Sequence, residues 1–416
     1  MVIIPAPFRR ITPQTYLFVL AVSVSLVFSQ VIYPRIESSW NANIDPDGFG
    51  QLARNIYHGK GFVYDDGTTV APALNHAPLY PYLIASLYVL VGRESFVVVQ
   101  IAQAFCHGML TIIVLLLARR MFDNRVALVA QFASAVYPML IWYTSRIWVE
   151  TIDTLAVCGL ILLLTRFYEN PTIGRSAFVG LALGIAVLTK GVVFPFLILI
   201  PIFLAVDKKW HHLKRTTAMF LCTFAVISPW TIRNYLVSGE IVPTHTSLGP
   251  NLMQGDAVAR YWLQSPLAAL ELQRLGQRSI DSVLSGSGHT MTDAEGDRLL
   301  TATSLSWNRD HPLIAIKRIC INGLTFWYLS ESPAKSIFLG LLQLPLIISL
   351  IVATRLCWRR IPLVRPAVLF IAYYWIVHML IIGWARYSLP IVPLCLLLMS
   401  YLIVNKWFRN PGEKVT

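Results

Sequence analysis

Residues 45–55 read Asp-Pro-Asp-Gly-Phe-Gly-Gln-Leu-Ala-Arg-Asn, and they come shortly after a hydrophobic stretch at 14–34. This acidic, glycine-containing segment just beyond an apolar span is the most informative stretch of the chain. Asp45 suits the N-cap of a helix, and Pro46 suits its first position. The apolar residues that follow recur at helical spacing. The pattern therefore predicts a short amphipathic helix on a membrane surface, led by the carboxylates of Asp45 and Asp47.

The overall composition is that of a membrane protein. Of the 416 residues, 56% are hydrophobic and 13% are charged, and the mean hydropathy is +0.61. Soluble domains carry roughly 25% charged residues, about twice this fraction. The chain is thus predicted to be an all-α polytopic membrane protein.

Hydrophobic stretches of about the length of a bilayer recur along the whole chain. They predict ten transmembrane spans, at 14–34, 95–118, 126–144, 148–166, 176–189, 191–206, 216–234, 335–354, 363–383 and 388–405. The stretch at 79–92 is apolar but too short to cross comfortably, and we interpret it as a surface or re-entrant helix. The stretch at 313–329 is ambiguous because it contains Lys317 and Arg318.

Basic residues predict the orientation, because Lys and Arg concentrate in cytoplasmic loops. With both termini in the cytoplasm, every inner loop is basic, and topology explains most of the net charge of +13. The sequence contains no basic stripe with interleaved aromatic residues, the pattern that would indicate nucleic-acid binding. We expect a single integrated membrane domain, 1–416, with two long external segments at 35–94 and 235–334. In the second segment, Thr292 and Glu295 form a capping-box pattern that predicts a helix ending near Arg309.

Some charged residues break the topology rule and are candidates for a site. Five basic residues stand at outer ends of predicted spans, where Lys and Arg are uncommon: Arg93, Arg146, Lys190, Arg233 and Arg386. Together they could line an outward-facing cavity for an anionic phosphate; the alternative is that each one extends to lipid headgroups. Glu150 and Asp153 lie near the outer end of one span, where acidic residues are costly unless paired or functional. Arg146 is the expected partner of Glu150 because it stands four residues earlier.

Several short motifs, in the order in which they occur along the chain, resemble those of polytopic glycosyltransferases that use lipid-phosphate sugars. The best-known members are the protein O-mannosyltransferases and the aminoarabinose transferases of lipid A. The first motif is Asp45-Pro-Asp-Gly-Phe49, which resembles the acidic first-loop motif. The others are Asn55-Ile-Tyr-His-Gly-Lys-Gly-Phe62, Pro78-Leu-Tyr-Pro81, Ala118-Arg-Arg-Met-Phe122, Pro229-Trp-Thr-Ile-Arg-Asn-Tyr235 and Arg386-Tyr-Ser-Leu-Pro-Ile-Val-Pro393. No single motif is specific, but their order and spacing are.

The resemblance implies a GT-C fold, in which a bundle of membrane helices holds a cavity under outer-face loops. It implies a polyprenyl-phosphate sugar donor, membrane lipids as surroundings, and inverting transfer to a glycolipid, polysaccharide or protein. Asp45 matches the family's catalytic Asp, whereas Asp47 stands one position beyond the second acid. His76, Arg233, Arg386 and Lys190 are the candidates for binding the donor phosphate. Arg54, Glu150 and Arg146 are further site candidates.

Other classes of function stay open from the sequence. A transporter or flippase for a lipid-linked sugar would share the spans and the basic cavity, but it predicts symmetric broken helices that this sequence lacks. A non-catalytic assembly subunit would tolerate loss of Asp45. A divalent metal ion is possible in this family, although the sequence has no tight ligand cluster and its six cysteines lack metal-site spacing. The expected location is the bacterial inner membrane, with the site on the periplasmic face.

Overall fold

The computed structural model describes residues 12–40, 45–65, 67, 69–264, 266, 269–286 and 291–407, and most of these residues are helical. The helices of the first half are α1 (Pro13–Val27), α2 (Tyr33–Trp40), α3 (Phe49–Tyr57), α4 (Leu79–Val91), α5 (Phe96–Met121), α6 (Asn124–Val136), α7 (Pro138–Trp142), α8 (Glu150–Glu169), α9 (Ile173–Thr189) and α10 (Phe196–Val206). Those of the second half are α11 (Trp210–Leu213), α12 (Thr216–Ser238), α13 (Leu248–Tyr261), α14 (Ala269–Ser285), α15 (Asp293–Asp310), α16 (Pro312–Tyr328), α17 (Pro333–Cys357), α18 (Arg365–Leu380) and α19 (Val392–Trp407).

Among the described residues, six helical segments are long and apolar enough to cross a membrane: Pro13–Ile36, Phe96–Met121, Glu150–Glu169, Pro333–Cys357, Pro362–Leu380 and Ala385–Lys406. The all-α membrane fold is thereby confirmed. The other four predicted crossings also coincide with helices, but each departs from a regular span. The stretch at 126–144 is broken between α6 and α7 before Pro138, and α9 and α10 are short. Helix α12 is long enough, but Arg233 and Asn234 lower its hydropathy. The count of ten stays a prediction.

Close helix packing in the bundle uses small residues, as is common in membranes. Helix α9 lies against α12 through Gly180 and Gly184. A Cβ atom at Gly180 would stand 2.3 Å from the carbonyl oxygen of Met219, and one at Gly184 would stand 2.6 Å from Val226. Any larger side chain would push the two helices apart. This contact helps to fix the C-terminal end of α9, which leads directly to Lys190.

The first long segment contains α3, a two-stranded antiparallel hairpin and α4. Strand β1 (Val63–Asp65) pairs with β2 (Val70–Pro72). The amphipathic helix predicted after residue 45 is confirmed, but its start is not. Helix α3 begins at Phe49 with Gly48 as its N-cap, so the N-cap prediction for Asp45 is wrong. Gly48 has φ of 78°, a left-handed conformation that glycine adopts readily, and it delays the helix by one turn.

The second long segment contains α13 to α16 and packs on the first. The capping box at Thr292 and Glu295 is confirmed, and α15 ends at Asp310 as predicted. The Ser- and Gly-rich run at 282–289 predicts a loop, but α14 extends to Ser285, so the first part of this prediction is wrong. Residues 287–290 lie outside the described residues. Leu74 joins the two segments, since its N–H donates to Asp293 at 3.1 Å and its carbonyl accepts from the N–H of Thr246 at 2.7 Å. Both segments therefore lie on the same side of the bundle.

Candidate active site

A cavity of about 610 Å³ lies between the two long segments and the ends of the membrane helices. Residues from the first segment, the start of α8, the turn after α9, helix α13 and the turn between α18 and α19 line it. Its charged or titratable lining residues are Asp47, His76, Glu150, Lys190, His245, His378, Arg386 and Tyr387. The chain thus gathers in one cavity five of the site residues predicted from sequence, namely Asp47, His76, Glu150, Lys190 and Arg386.

Lys190 lies immediately after α9 and is largely buried. Its Nζ stands 3.6 Å from Glu150 and 3.9 Å from Asp153, beyond ordinary hydrogen-bond distance. The ammonium also lies 4.7 Å from the ring centroid of Tyr387. Within the described part of the chain, Nζ has no hydrogen-bond partner. A buried ammonium that is only loosely balanced by carboxylates is a natural binding group for an anion.

Arg386 stands at the start of the last membrane helix and faces the same cavity. Its guanidinium donates to the carboxylate of Asp47, with a shortest distance of 3.2 Å, and to the hydroxyl of Tyr387 at 3.0 Å. The rings of Trp384 and Trp148 lie 5.3 and 5.7 Å from its Cζ. These contacts hold the guanidinium in place, yet its buried Nε has no partner among the residues described.

Asp45 lies beside the cavity rather than in its lining. Its Oδ2 accepts the N–H of Gln51 at 3.1 Å, so the carboxylate meets the exposed amide groups at the start of α3. A Cβ atom at Gly50 would stand 2.8 Å from this oxygen, so the glycine makes the approach possible. Burial raises the pKa of Asp45, while the backbone hydrogen bonds from Gly50 and Gln51 partly oppose the increase. A carboxylate with a raised pKa is better suited to accept a proton.

His76, in the first long segment, also lines the cavity. Its Nδ1 is 2.6 Å from the hydroxyl of Tyr64 and 2.6 Å from Oδ1 of Asn75. The edge of its ring meets Phe49, with centroids 4.6 Å apart. Burial lowers the pKa of His76, although Asp47 opposes this effect. The lowered pKa favours the neutral form of the His76 imidazole.

Arg146 is buried outside the cavity and does not pair with Glu150 as the spacing suggested. Its guanidinium donates to Glu331 at 2.8 Å and to the hydroxyl of Tyr33 at 2.8 Å. The expected pair fails because α8 begins at Glu150, so Arg146 stands in the preceding loop instead of one turn earlier on the helix. Burial alone would raise the pKa of Glu331, but Arg146 and Lys335 outweigh it and lower the pKa.

Arg233 likewise does not line the cavity. It donates to the backbone carbonyls of Ala73 at 2.9 Å and Phe62 at 2.7 Å, and its Cζ lies 4.8 Å from the ring centroid of Trp230. These contacts attach the first long segment to the end of α12. The expected ring of five bases around one cavity is therefore wrong, and Lys190 and Arg386 alone among the five line it. Arg93 and Arg54 are exposed, although Arg54 is near enough to lower the pKa of Asp45.

We expect Arg233→Gln to lower stability rather than to weaken donor binding. The change removes the hydrogen bonds that the guanidinium donates to the carbonyl oxygens of Ala73 and Phe62. A hydrogen bond that involves a charged group contributes about 1.5–3 kcal/mol. The measurement is the melting temperature of the purified chain in detergent. Arg298→Gln is the matched control. The side chain of Arg298 is 66% exposed and forms an ion pair with Glu240. Ion pairs at the surface contribute at most about 1 kcal/mol, so this change should have little effect. Equal melting temperatures for the two variants would contradict this role.

Sequence reasoning missed several lining residues, among them His245, Thr246, His378 and Tyr387. Burial lowers the pKa of His245 to about 4, so this imidazole is neutral. The one signal was the polar run from Thr244 to Thr246 just beyond α12. No group of three or more His, Cys, Asp or Glu side chains among the described residues is placed to hold a metal ion.

A family model described as dolichyl-phosphate-mannose-protein mannosyltransferase matches residues 75–232. This match includes His76, Glu150 and Lys190, and it leaves out Asp45 and Arg386. No curated protein sequence matches the chain.

Solved structures with a similar fold are membrane glycosyltransferases. The oligosaccharyltransferase of Archaeoglobus fulgidus, tethered to an acceptor peptide with an NVT sequon, matches with a TM-score of 0.57 at 14% identity, over 94% of this chain and 50% of that one. The AglB oligosaccharyltransferase of the same organism, with an inhibitory peptide and dolichol-phosphate, matches with a TM-score of 0.55 at 14% identity, over 97% of this chain and 52% of that one. ArnT of Cupriavidus metallidurans, bound to undecaprenyl phosphate, has a TM-score of 0.44 at 12% identity, over 94% of this chain and 77% of that one.

The chain spans about half the length of the archaeal enzymes that it matches. At these identities the likeness establishes the fold, and the family model adds the relationship in sequence. The resemblance drawn from the order of motifs is confirmed. The chain therefore has the GT-C fold, and its residues 75–232 are similar in sequence to the dolichyl-phosphate-mannose-protein mannosyltransferases.

Proposed function

We propose that the chain transfers a sugar from a polyprenyl-phosphate donor to an acceptor hydroxyl at the outer face of the membrane. The observation that carries the proposal is the pair of buried cations with unused donors, Lys190 Nζ and Arg386 Nε, which lack hydrogen-bond partners among the described residues. Leaving such donors unsatisfied in a buried site is costly. A phosphate supplies charged acceptor oxygens for both.

The names of the relatives support a lipid phosphate as donor. The matching family is described by dolichyl-phosphate-mannose, and AglB was solved with dolichol-phosphate. In both compounds a single phosphate ends a polyprenyl chain. A cavity at the ends of membrane helices suits such a molecule, because the chain can stay in lipid while the phosphate reaches Lys190 and Arg386.

The proposed reaction uses Asp45 as the general base. The acceptor oxygen attacks the anomeric carbon of the donor and gives its proton to the Asp45 carboxylate. The bond between the anomeric carbon and the phosphate oxygen breaks on the opposite face, so the configuration inverts. The polyprenyl phosphate leaves with the bonding electrons, and Lys190 and Arg386 stabilise its charge. Asp47 balances Arg386 before the donor binds.

The direct test is an assay of the purified chain in lipid nanodiscs with a panel of undecaprenyl-phosphate-linked sugars. We expect one donor of the panel to be consumed, with release of undecaprenyl phosphate and a product of inverted anomeric configuration. Failure to consume any donor, together with failure to bind undecaprenyl phosphate, would overturn the proposal.

We further propose that 35–94 and 235–334 are external, in the periplasm if the chain is in a bacterial inner membrane. Cysteine introduced at the exposed Ser285, in a chain whose exposed Cys320 is replaced by Ser, should react with a membrane-impermeant thiol reagent added to intact spheroplasts. The basic loops on the other side predict this orientation. Labelling that requires permeabilisation of the membrane would reverse it.

A further inference from the structure

A second cavity, of about 250 Å³, adjoins the main one between the two long segments. Asn75, Thr246 and Pro250 line both cavities, so the two meet at these residues. We call the second cavity the port. Its opposite wall consists of α14 and the first turns of α15. Its lining residues Asn75, Thr292 and Asp293 are exposed, so the port connects the surface of the two long segments with the cavity that holds Lys190 and Arg386.

Thr246 stands at the junction with an unused hydroxyl. Its side chain is buried, with 7% relative exposure, and Oγ1 has no hydrogen-bond partner in the described part of the chain. The N–H of Thr246 donates to the carbonyl of Leu74 at 2.7 Å, which fixes the residue in place. A buried hydroxyl left unsatisfied costs free energy, and at Thr246, which lines both cavities, a hydrogen-bonding guest could satisfy it.

The port is lined by carboxylates, whereas the main cavity is also lined by the cations Lys190 and Arg386. Asp293 and Asp297 line the port, and none of the described residues in its lining is Lys, Arg or His. Each carboxylate also accepts a backbone N–H, Asp293 from Leu74 at 3.1 Å and Asp297 from Gly249 at 2.8 Å, which holds it in position. A phosphate or carboxylate group that entered here would meet two negative charges without a cation to balance them.

The size and lining of the port suit one sugar ring. The port has a volume of about 250 Å³. This equals the volume that about eight water molecules occupy in the liquid, at roughly 30 Å³ each. The polar groups of Asn75 and Thr246 face an apolar wall of Ile280, Leu284 and Leu300. A hexose likewise has hydroxyl groups at its edge and C–H groups on its faces.

We propose that the port is the acceptor entrance of the transferase, that it receives a neutral sugar residue, and that the Thr246 hydroxyl hydrogen-bonds that residue. This inference rests on the proposed function and adds the class of acceptor. The donor phosphate then meets Lys190 and Arg386 in the main cavity, whereas the acceptor enters past Asp293 and Asp297, so each is selected by the charge that it meets. An acceptor that carries a phosphate group at or near its reacting atom is therefore excluded.

Protection of a reporter cysteine tests the port directly. Leu284→Cys is introduced with Cys320→Ser, and the rate of its modification by an uncharged maleimide is measured in nanodiscs. Methyl α-mannopyranoside should slow the modification, whereas its 6-phosphate should not. Thr246→Val should raise the concentration that gives half protection about 3- to 10-fold, the cost of one neutral hydrogen bond. Thr301→Val is the matched control, since its Oγ1 is also buried without a partner among the described residues but lines neither cavity.

The outcomes separate this inference from the proposed function. Equal protection by the 6-phosphate would overturn the selection by charge, and unchanged protection in Thr246→Val would overturn the role of its hydroxyl. Absence of protection by the neutral glycoside would overturn the port as the acceptor entrance. Binding of undecaprenyl phosphate to the same preparation reports on the main cavity. If that binding persists while protection fails, only the port is refuted; if that binding fails as well, the donor proposal fails with it.

Discussion

Asp45→Asn is expected to lower sugar transfer by roughly a hundredfold or more, while donor binding and folding persist. The carboxamide cannot take the proton of the attacking hydroxyl. Asp45 accepts a hydrogen bond from the N–H of Gln51 at 3.1 Å, and the carboxamide oxygen of Asn can accept the same bond. Helix α3 should therefore still begin at Phe49. The measurement is turnover of the purified chain at a saturating concentration of the best undecaprenyl-phosphate-linked sugar.

Asp47→Asn is the control for this prediction. It removes one negative charge from the same turn, but its partner is Arg386 at 3.2 Å rather than the N-terminus of α3. We expect a milder loss of turnover and no weakening of donor binding, because the guanidinium loses a competitor of the phosphate. Near wild-type turnover in Asp45→Asn, with a large loss in Asp47→Asn, would transfer the role of base to Asp47.

The second large effect concerns the cations of the main cavity. Loss of one charge-assisted contact costs about 1.5–3 kcal/mol, so the Kd for undecaprenyl phosphate should rise roughly 10- to 150-fold. Removing Lys190 alone would leave Glu150 and Asp153 buried without their cation, and that would destabilise the fold. The double variant Glu150→Gln with Lys190→Met keeps the formal net charge of this group unchanged, because one of the two carboxylates is neutralised together with the cation.

The same design applies to the other cation, with Asp47→Asn and Arg386→Gln combined. The single variants Glu150→Gln and Asp47→Asn serve as controls, because each keeps the cation and removes only its carboxylate. Binding is measured by titration of undecaprenyl phosphate in nanodiscs. Unchanged affinity in both double variants, with melting temperatures close to that of the wild type, would place the phosphate elsewhere.

The features predicted well from sequence depend on neighbouring residues. The amphipathic helix α3 and the capping box of α15 are set by side chains within one or two turns of each other. The apolar spans follow from composition over about 20 residues, as the bilayer requires. The error at Asp45 was also local, since a left-handed Gly48 delayed the helix start beyond the residue that propensity favours.

The site itself was only partly predictable because it joins distant residues. Asp47 and Arg386 are 339 positions apart, and nothing in their spacing indicates that they pair. Arg146 shows the converse: it was assigned a partner four residues away, but its real partner is Glu331, which is 185 positions away. A basic residue at the outer end of a span can thus bind a ligand, as proposed for Lys190, or attach a loop, as Arg233 does.

The main claim is that Lys190 and Arg386 hold the phosphate of a polyprenyl donor in one cavity. A cryo-electron microscopy structure of the chain with undecaprenyl phosphate tests it most directly. We expect phosphate oxygens about 3 Å from Lys190 Nζ and Arg386 Nε, the usual distance of a charged hydrogen bond. A phosphate bound at another place, such as beside the exposed Arg93, with both cations unchanged, would contradict it.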